Sequence, residues 1–421
     1  MLYPIYRLVT GVAGPFIPLL LKRRTAAGKE DEARRPERLG QPSRPRPEGR
    51  LVWIHGASVG EALSVQALIG RLLKDDPDLS VLLTTGTLTS ARLMEGRLQD
   101  RAFHQFVPVD RRDYARTFLD HWRPDLVIWV ESEIWPNLLT EIRDRAIPAA
   151  MVNARMSASS LARWRRFPGT IRTLLSAFDV ILPWGPAEGE KFRALGARRI
   201  GPAGNLKFTS APPDADEAEV AALRDAIGDR PVWLAASTHP GEEEMALEAH
   251  RTLSERWPDL LTILMPRHPG RGGDVAALAA GTGVTLRSRG EAPDRPVHVA
   301  DTLGEMGLFL RLAPITFIGG SLVPHGGHNP IEAAQLGSAL VLGPHMTNFS
   351  EITTELAEAG GAILLDDPAG LADAVDGLLR RPEDRTRMAA AARAVADRRR
   401  GLLDEVMAEI APLLDRAEGR R

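Results

Sequence analysis

Short apolar runs alternate with amphipathic stretches from Leu51 onward. Leu51–His55, Val81–Thr84, Phe103–Val107, Leu126–Val130 and Ala149–Val152 read as strands separated by helices, a βαβ rhythm. The rhythm pauses at Ser210–Asp216, where two adjacent prolines and no periodicity predict a linker. It resumes with Val232–Ala236, Leu261–Met265, Val297–Ala300, Ile315–Ile318, Ala339–Leu342 and Ala362–Leu365. The pattern predicts an α/β protein of two Rossmann-like, doubly wound parallel-sheet domains facing across a cleft, residues 25–209 and 217–421 about a linker at 210–216. The charged segment Asp384–Arg421 is expected to close the second domain as an exposed or bridging helix. Ligands of such sheets collect at the carboxyl ends of the strands, so the loops there are where chemistry is sought.

Residues 1–24 follow a different pattern. Leu2–Leu21 is mostly apolar and, as one helix, about 30 Å long, and Lys22, Arg23 and Arg24 close it. A cleaved signal carries its charge before the apolar run, the reverse of this order, so the segment is read as a retained membrane anchor with its cationic end toward the cytoplasm. Arg7, Pro4, Pro15 and Pro18 interrupt a clean span, which keeps an interfacial helix open beside a crossing one. Thr25–Arg50, rich in Arg, Glu and Pro, is expected at the surface.

Composition narrows the function classes. A chain of 421 residues exceeds what one core usually supports, which agrees with two domains. A formal net charge of −2 and 5% aromatic residues supply neither the basic field nor the stacking platform of a nucleic-acid binder. The chain has no cysteine and no HExxH stretch, so neither thiolate catalysis nor a metal centre at ligand spacing is expected.

The loops after the strands carry the candidate chemistry. His55-Gly56-Ala57-Ser58-Val59-Gly60-Glu61 turns the first strand into a helix, and is neither a P-loop nor a GxGxxG fingerprint. A carboxylate there either complements a helix start or acts as a general base on a substrate hydroxyl. Glu131 ends an apolar run, and Ser132 or Glu133 is placed to cap a helix with Pro136 in its first turn. Asn153–Ser157 follows another strand, and Gly204-Asn205-Leu206-Lys207 offers a point cation beside the linker.

In the second half, Ser237–His239 and Pro266-Arg267-His268 are polar loops at the ligand edge, and Arg267 suits an anion. Gly319-Gly320-Ser321 and Gly326-Gly327-His328-Asn329-Pro330-Ile331-Glu332, with Gly343–His345 and Asn348–Phe349, form the strongest stretch. Its glycines are expected to lead into a helix near Asn329 whose amino end binds an anion, with Glu332 one turn in.

Taken together these pieces resemble the 3-deoxy-D-manno-octulosonic acid (Kdo) transferases, lipid A glycosyltransferases of GT-B architecture. Glu37–Gly40, Ala57–Glu61, Glu131–Asn137, Asn153–Ser157, Gly204–Phe208, Ser237–His239, Pro266–His268, Leu303–Glu305 and Gly326–Glu332 match in family order across nearly the whole chain. Gly56, where many members carry alanine or serine, and Thr209, where aspartate is common, depart from the usual form.

The resemblance implies CMP-Kdo as donor and co-substrate, a lipid IVA-like acceptor, inversion at the anomeric carbon, no cofactor and no required metal. It also implies a place at the cytoplasmic face of the bacterial inner membrane, in lipopolysaccharide biosynthesis. Carried over, Glu61 is similar to the base, Glu131 and Lys207 to transition-state supporters, and Pro266, Arg267, Leu303, Gly304, Glu305, Asn329, Pro330, Ile331 and Glu332 to the CMP-binding segments. Two rivals share the pattern: a UDP-sugar epimerase or hexosamine transferase of the same architecture, and a noncatalytic membrane-attached scaffold.

Overall fold

The computed structural model describes residues 2–131, 133–209 and 212–418. The chain divides into two compact units, Met1–Ser210 together with Arg399–Arg421, and Ala211–Arg398.

The strands of the first unit are β1 (Arg50–His55), β2 (Leu79–Thr85), β3 (Ala102–Phe106), β4 (Leu126–Val130), β5 (Ala149–Ala154) and β6 (Val180–Pro183). They form one parallel sheet in the order β3-β2-β1-β4-β5-β6. Alternate side chains enter two separate cores, Leu51, Trp53, Val127 and Trp129 on one face and Val52, Ile54, Leu126 and Ile128 on the other. Burial on both faces is why these strands read as unbroken apolar runs.

The second unit holds β7 (Val232–Thr238), β8 (Leu261–Pro266), β9 (Val284–Leu286), β10 (Val297–Val299), β11 (Ile315–Ile318), β12 (Ala339–Leu342) and β13 (Ala362–Leu364). Its parallel order is β13-β12-β11-β7-β8-β10-β9. With β9 set aside as an extra edge strand, both sheets follow the doubly wound order 3-2-1-4-5-6. The order reverses between β1 and β4 in one and between β7 and β11 in the other, and the glycine-rich and acidic loops leave the sheets at these two crevices. The apolar pattern does not single out β6 and β9, which are short.

Three features depart from the sequence pattern. First, the expected second domain loses its last turns: Leu402, Val406, Ile410, Leu413 and Leu414, at helical spacing along the helix Pro382–Glu418, belong to a core of the first unit.

Second, Thr25–Arg50 is not simply surface, since Glu30, Glu37 and Arg38 are buried. Arg38 pairs with Glu30 and donates to Val107 O, while Glu37 accepts from Arg34 and from Phe106 N, so the charges are paired and also close off the β3 edge.

Third, the amino-terminal segment is not one helix. Helices Tyr3–Val12 and Gly14–Ala26 meet at 48° around Pro15, and no single described helix is long and apolar enough to cross a membrane. Tyr6 donates to Asp110 at 2.9 Å and Leu2 N to Thr170 at 3.0 Å, which fixes this segment to the first unit. Its other face is apolar and exposed: Ile5, Leu8, Val9 and Val12, then Phe16, Leu19 and Leu20.

Of the expected linker, Ser210 and Ala211 lie outside the described residues, and Asp216 caps the helix Glu217–Ile227 through Ala218 N and Glu219 N. Ser132, one of two expected helix caps, also lies outside them; the helix Pro136–Asp144 instead presents Asn137 N and Leu138 N to the Asp110 carboxylate.

Candidate functional site

In the first unit, the loop after β1 turns directly into the helix Val59–Ser64, capped by Ser58. Gly56 permits this tight entry, because a Cβ there would come within 3.1 Å of the Glu61 Cβ. The helix starts two residues before Glu61 and turns its carboxylate back toward the loop. Glu61 accepts from Ala57 N at 2.7 Å and from the Ser58 hydroxyl at 2.9 Å. It is 7% exposed. Burial pushes its pKa above the ordinary carboxylate value, against the two hydrogen bonds and with the help of the negative charges of Glu131 and Glu133.

Glu131 follows β4 in the left-handed backbone region, φ 59°, an uncommon state for a residue with a side chain. Its carboxylate pairs with Arg155 at 2.9 Å. Lys207 is half-buried, and burial lowers its pKa, opposed by Glu131 and reinforced by Arg155. These three charges and Glu61 therefore act on one another through space.

Asn153 holds this arrangement. It too is left-handed, φ 51°, and buried. Its side-chain NH2 donates to Ser64 Oγ at 3.0 Å, at the end of the Glu61 helix, while its Oδ1 accepts from Leu206 N at 2.8 Å, in the turn carrying Lys207. One amide thus ties the end of β5 to the elements bearing Glu61 and Lys207. His55 takes no part, being fully buried and bonded to Thr84, and desolvation pushes its pKa down to about 3.

In the second unit, Ser237 is the third strand-end residue with left-handed backbone, φ 58°. Strain of this kind gathers where side chains are presented to a ligand. Gly319 packs against Ser237, and a Cβ there would come 2.4 Å from the Ser237 carbonyl oxygen. Arg267 leaves the end of β8 exposed, with its N–H bonded to Thr238 O at 2.9 Å. Burial raises the Glu332 pKa, offset by a hydrogen bond from Asn329 at 3.2 Å and by the charge of Arg267.

Desolvation holds His239 and His328 down at about 4, and neighbouring histidines and Arg267 push the same way. Arg267, Glu332, His239 and His328 therefore share one electrostatic neighbourhood, with Pro266 and Ile331 buried behind it.

One expectation needs correcting. The helix after the glycine loop runs only from Ile331 to Gln335, five residues, and Pro330 is its N-cap. Asn329 Oδ1 already accepts from Ile331 N at 3.1 Å. So short a helix contributes little dipole, and the anion chemistry falls to Arg267 and the loop. Glu305, in the loop after β10, pairs with Arg287 and accepts from Thr302, and these hold its pKa below the ordinary value. Leu303 and Gly304 form an exposed turn before it, Leu303 being 85% exposed.

Three residues escape sequence reasoning. Asn153 as the link between helices, and Glu242, whose buried carboxylate accepts from Gly320 N, Ser321 N and Leu322 N of the glycine loop, have no spacing signature. His325 gains meaning only through its spatial neighbours.

Residues 33–210 match the family model described as 3-deoxy-D-manno-octulosonic-acid transferase (kdotransferase). A probable mitochondrial 3-deoxy-D-manno-octulosonic acid transferase of Arabidopsis thaliana is 36% identical over 396 residues, covering 90% of this chain and 89% of the relative. This chain belongs to the Kdo transferase family. A second member, the 3-deoxy-D-manno-octulosonic acid transferase of Haemophilus influenzae, is 35% identical and covers 90% of each chain. The family's activity is glycosyl transfer of Kdo. Among solved structures, UDP-GlcNAc 2-epimerase from Neisseria meningitidis aligns with TM-score 0.54 at 13% identity, over 85% of this chain and 99% of the epimerase, a likeness of GT-B-type fold.

Proposed function

We propose that this Kdo transferase moves Kdo from CMP-Kdo to a lipid IVA-like lipid A precursor, with inversion, in lipopolysaccharide biosynthesis at the cytoplasmic face of the bacterial inner membrane. The observation that carries the mechanism is Glu61: a carboxylate at the switch point of its sheet whose pKa is raised by burial and by the charges of Glu131 and Glu133, against the two hydrogen bonds it accepts from Ala57 N and Ser58. A base of raised pKa takes a proton more readily than an ordinary carboxylate.

In the proposed step Glu61 takes the acceptor hydroxyl proton as that oxygen bonds to the anomeric carbon. The bond from that carbon to the CMP phosphate oxygen breaks, and its electron pair stays on the phosphate. A single displacement inverts the centre. Glu131 and Lys207 support the developing charges, and Arg267, with Pro266 and the Asn329–Glu332 loop, holds the donor's anionic groups. Leu303, Gly304 and Glu305 keep a supporting place through the pyrimidine end of the donor. Fixed cations take the leaving charge, so neither metal nor cofactor is required.

The exposed apolar face Ile5–Val12 and Phe16–Leu20, followed by exposed Lys22 and Arg23, suits an interfacial helix pair on an anionic membrane, where a lipid acceptor resides. The test is transfer by purified protein offered CMP-Kdo or UDP-sugars with lipid IVA in detergent. Kdo-modified lipid from CMP-Kdo alone is expected, and turnover only with UDP-sugars overturns the assignment in favour of the epimerase-like or hexosamine-transferase reading.

A further inference from the structure

Three imidazoles from two distant segments meet at the carboxyl edge of the second sheet. His239 follows β7, and His325 and His328 stand in the glycine-rich loop after β11. One ring nitrogen from each lies within 4.8 Å of the other two. His239 Nε2 and His328 Nε2 are 2.8 Å apart, with their rings nearly parallel at 4°. The His325 ring lies 3.8 Å from that of His239, centroid to centroid.

Packing alone accounts poorly for this grouping. Only one proton fits between two nitrogens at that separation, so one of them is a bare lone pair. His325 is exposed, yet its ring stays against the pair. The backbone carrying the rings is firmly set. His239 N donates to Glu242, whose carboxylate also accepts from Gly320 N, Ser321 N and Leu322 N, so the loops bearing the three histidines hang on one buried group.

We infer that His239, His325 and His328 form a binding site for one divalent transition-metal ion of the zinc class. Three neutral imidazoles on one ion, with a further position open, is a recurrent zinc donor set. Nitrogens bound at about 2.0–2.1 Å around a tetrahedral ion sit roughly 3.3 Å apart, so the His239–His328 pair opens by about half an ångström, which side-chain rotation supplies. With no carboxylate in the trio, imidazole selects zinc, cobalt, nickel or copper over magnesium and calcium.

The site adjoins the loop assigned to the donor, but its occupation is independent of that assignment and is not required for the transfer step. The test therefore uses protein without donor or acceptor. Tag-free chain, stripped with a chelator and desalted, is titrated with zinc chloride by calorimetry and with cobalt(II) by visible absorption. One equivalent of zinc, the absorption bands of tetrahedral cobalt nitrogen ligation and no magnesium response are expected.

His325→Ala, at an exposed position, weakens zinc binding by about 10-fold or more, as does His239→Gln, whereas His121→Ala in the other unit changes nothing. Absence of one-equivalent binding, or zinc affinity in the His325→Ala and His239→Gln proteins equal to that of the parent, overturns the site. Neither result bears on Kdo transfer, which is read by product mass.

Discussion

The two sheets place a buried carboxylate at matching points and treat it in opposite ways. Glu61 lies in the helix after β1, and Glu242 opens the helix after β7, strands that hold the same place in the two sheet orders. The Glu242 oxygens accept from the backbone N–H groups of His239, Gly320, Ser321 and Leu322, which fixes two loops around it. Glu61 has one backbone N–H and one hydroxyl, and two acidic neighbours work against its charge. A carboxylate saturated with donors is an anchor. One that is undersupplied and crowded by negative charge is poised to accept a proton.

The largest expected effect breaks the pair apart on its reactive side. Glu61→Gln lowers the transfer rate by about 10²–10⁴-fold while CMP affinity, read by calorimetry, stays as in the parent. The sign for stability follows from the raised pKa. A group whose folded pKa exceeds its unfolded value contributes fully below the unfolded pKa and loses that contribution as pH rises through the folded one. At a pH above its folded pKa Glu61 has lost that contribution, and there the Gln protein melts no lower than the parent. Transfer by the parent needs the ionised form, so its rate falls on the acid side at a pH above the ordinary carboxylate pKa.

Glu242→Ala breaks the other half. It strands four buried N–H groups and costs at least about 3 kcal/mol in denaturant unfolding. A loss confined to activity, with stability intact, would dissolve the contrast. Arg267→Ala comes next, weakening CMP binding by about 10-fold or more, as loss of a charge-assisted hydrogen bond predicts. Unaltered affinity in calorimetry removes Arg267 from the donor's contacts. Ser58→Ala sharpens the comparison with the smallest change. It removes the helix cap, at about 1 kcal/mol, and one donor to Glu61, moving the acid limb of the rate profile to higher pH.

The same contrast explains what was legible in the sequence. Strands buried on both faces announce themselves as apolar runs, and the loops behind β1, β4, β7, β8 and β11 followed from them, as did Glu61, Glu131, Lys207 and Arg267 as the charges to watch. Contacts between distant segments leave no such trace. Glu242 reads as one acid in a Glu-Glu-Glu run at a helix start, and Asn153 as a strand-end polar residue, until Gly320 and Leu206 are beside them. Paired charges misled in the other direction: the Arg- and Glu-rich Thr25–Arg50 looked solvated because nothing local shows that Arg38 and Glu37 find partners at the ends of β2 and β3. The stripe Leu402–Leu414 likewise does not say which core it joins.

The most direct measurement of the central claim is the mass of the lipid formed from lipid IVA and CMP-Kdo by the parent and the Glu61→Gln protein, each shown to bind CMP. Kdo-bearing lipid from the parent and its near absence with Glu61→Gln is the predicted result. Parent-like product from the Gln protein would contradict Glu61 as the base.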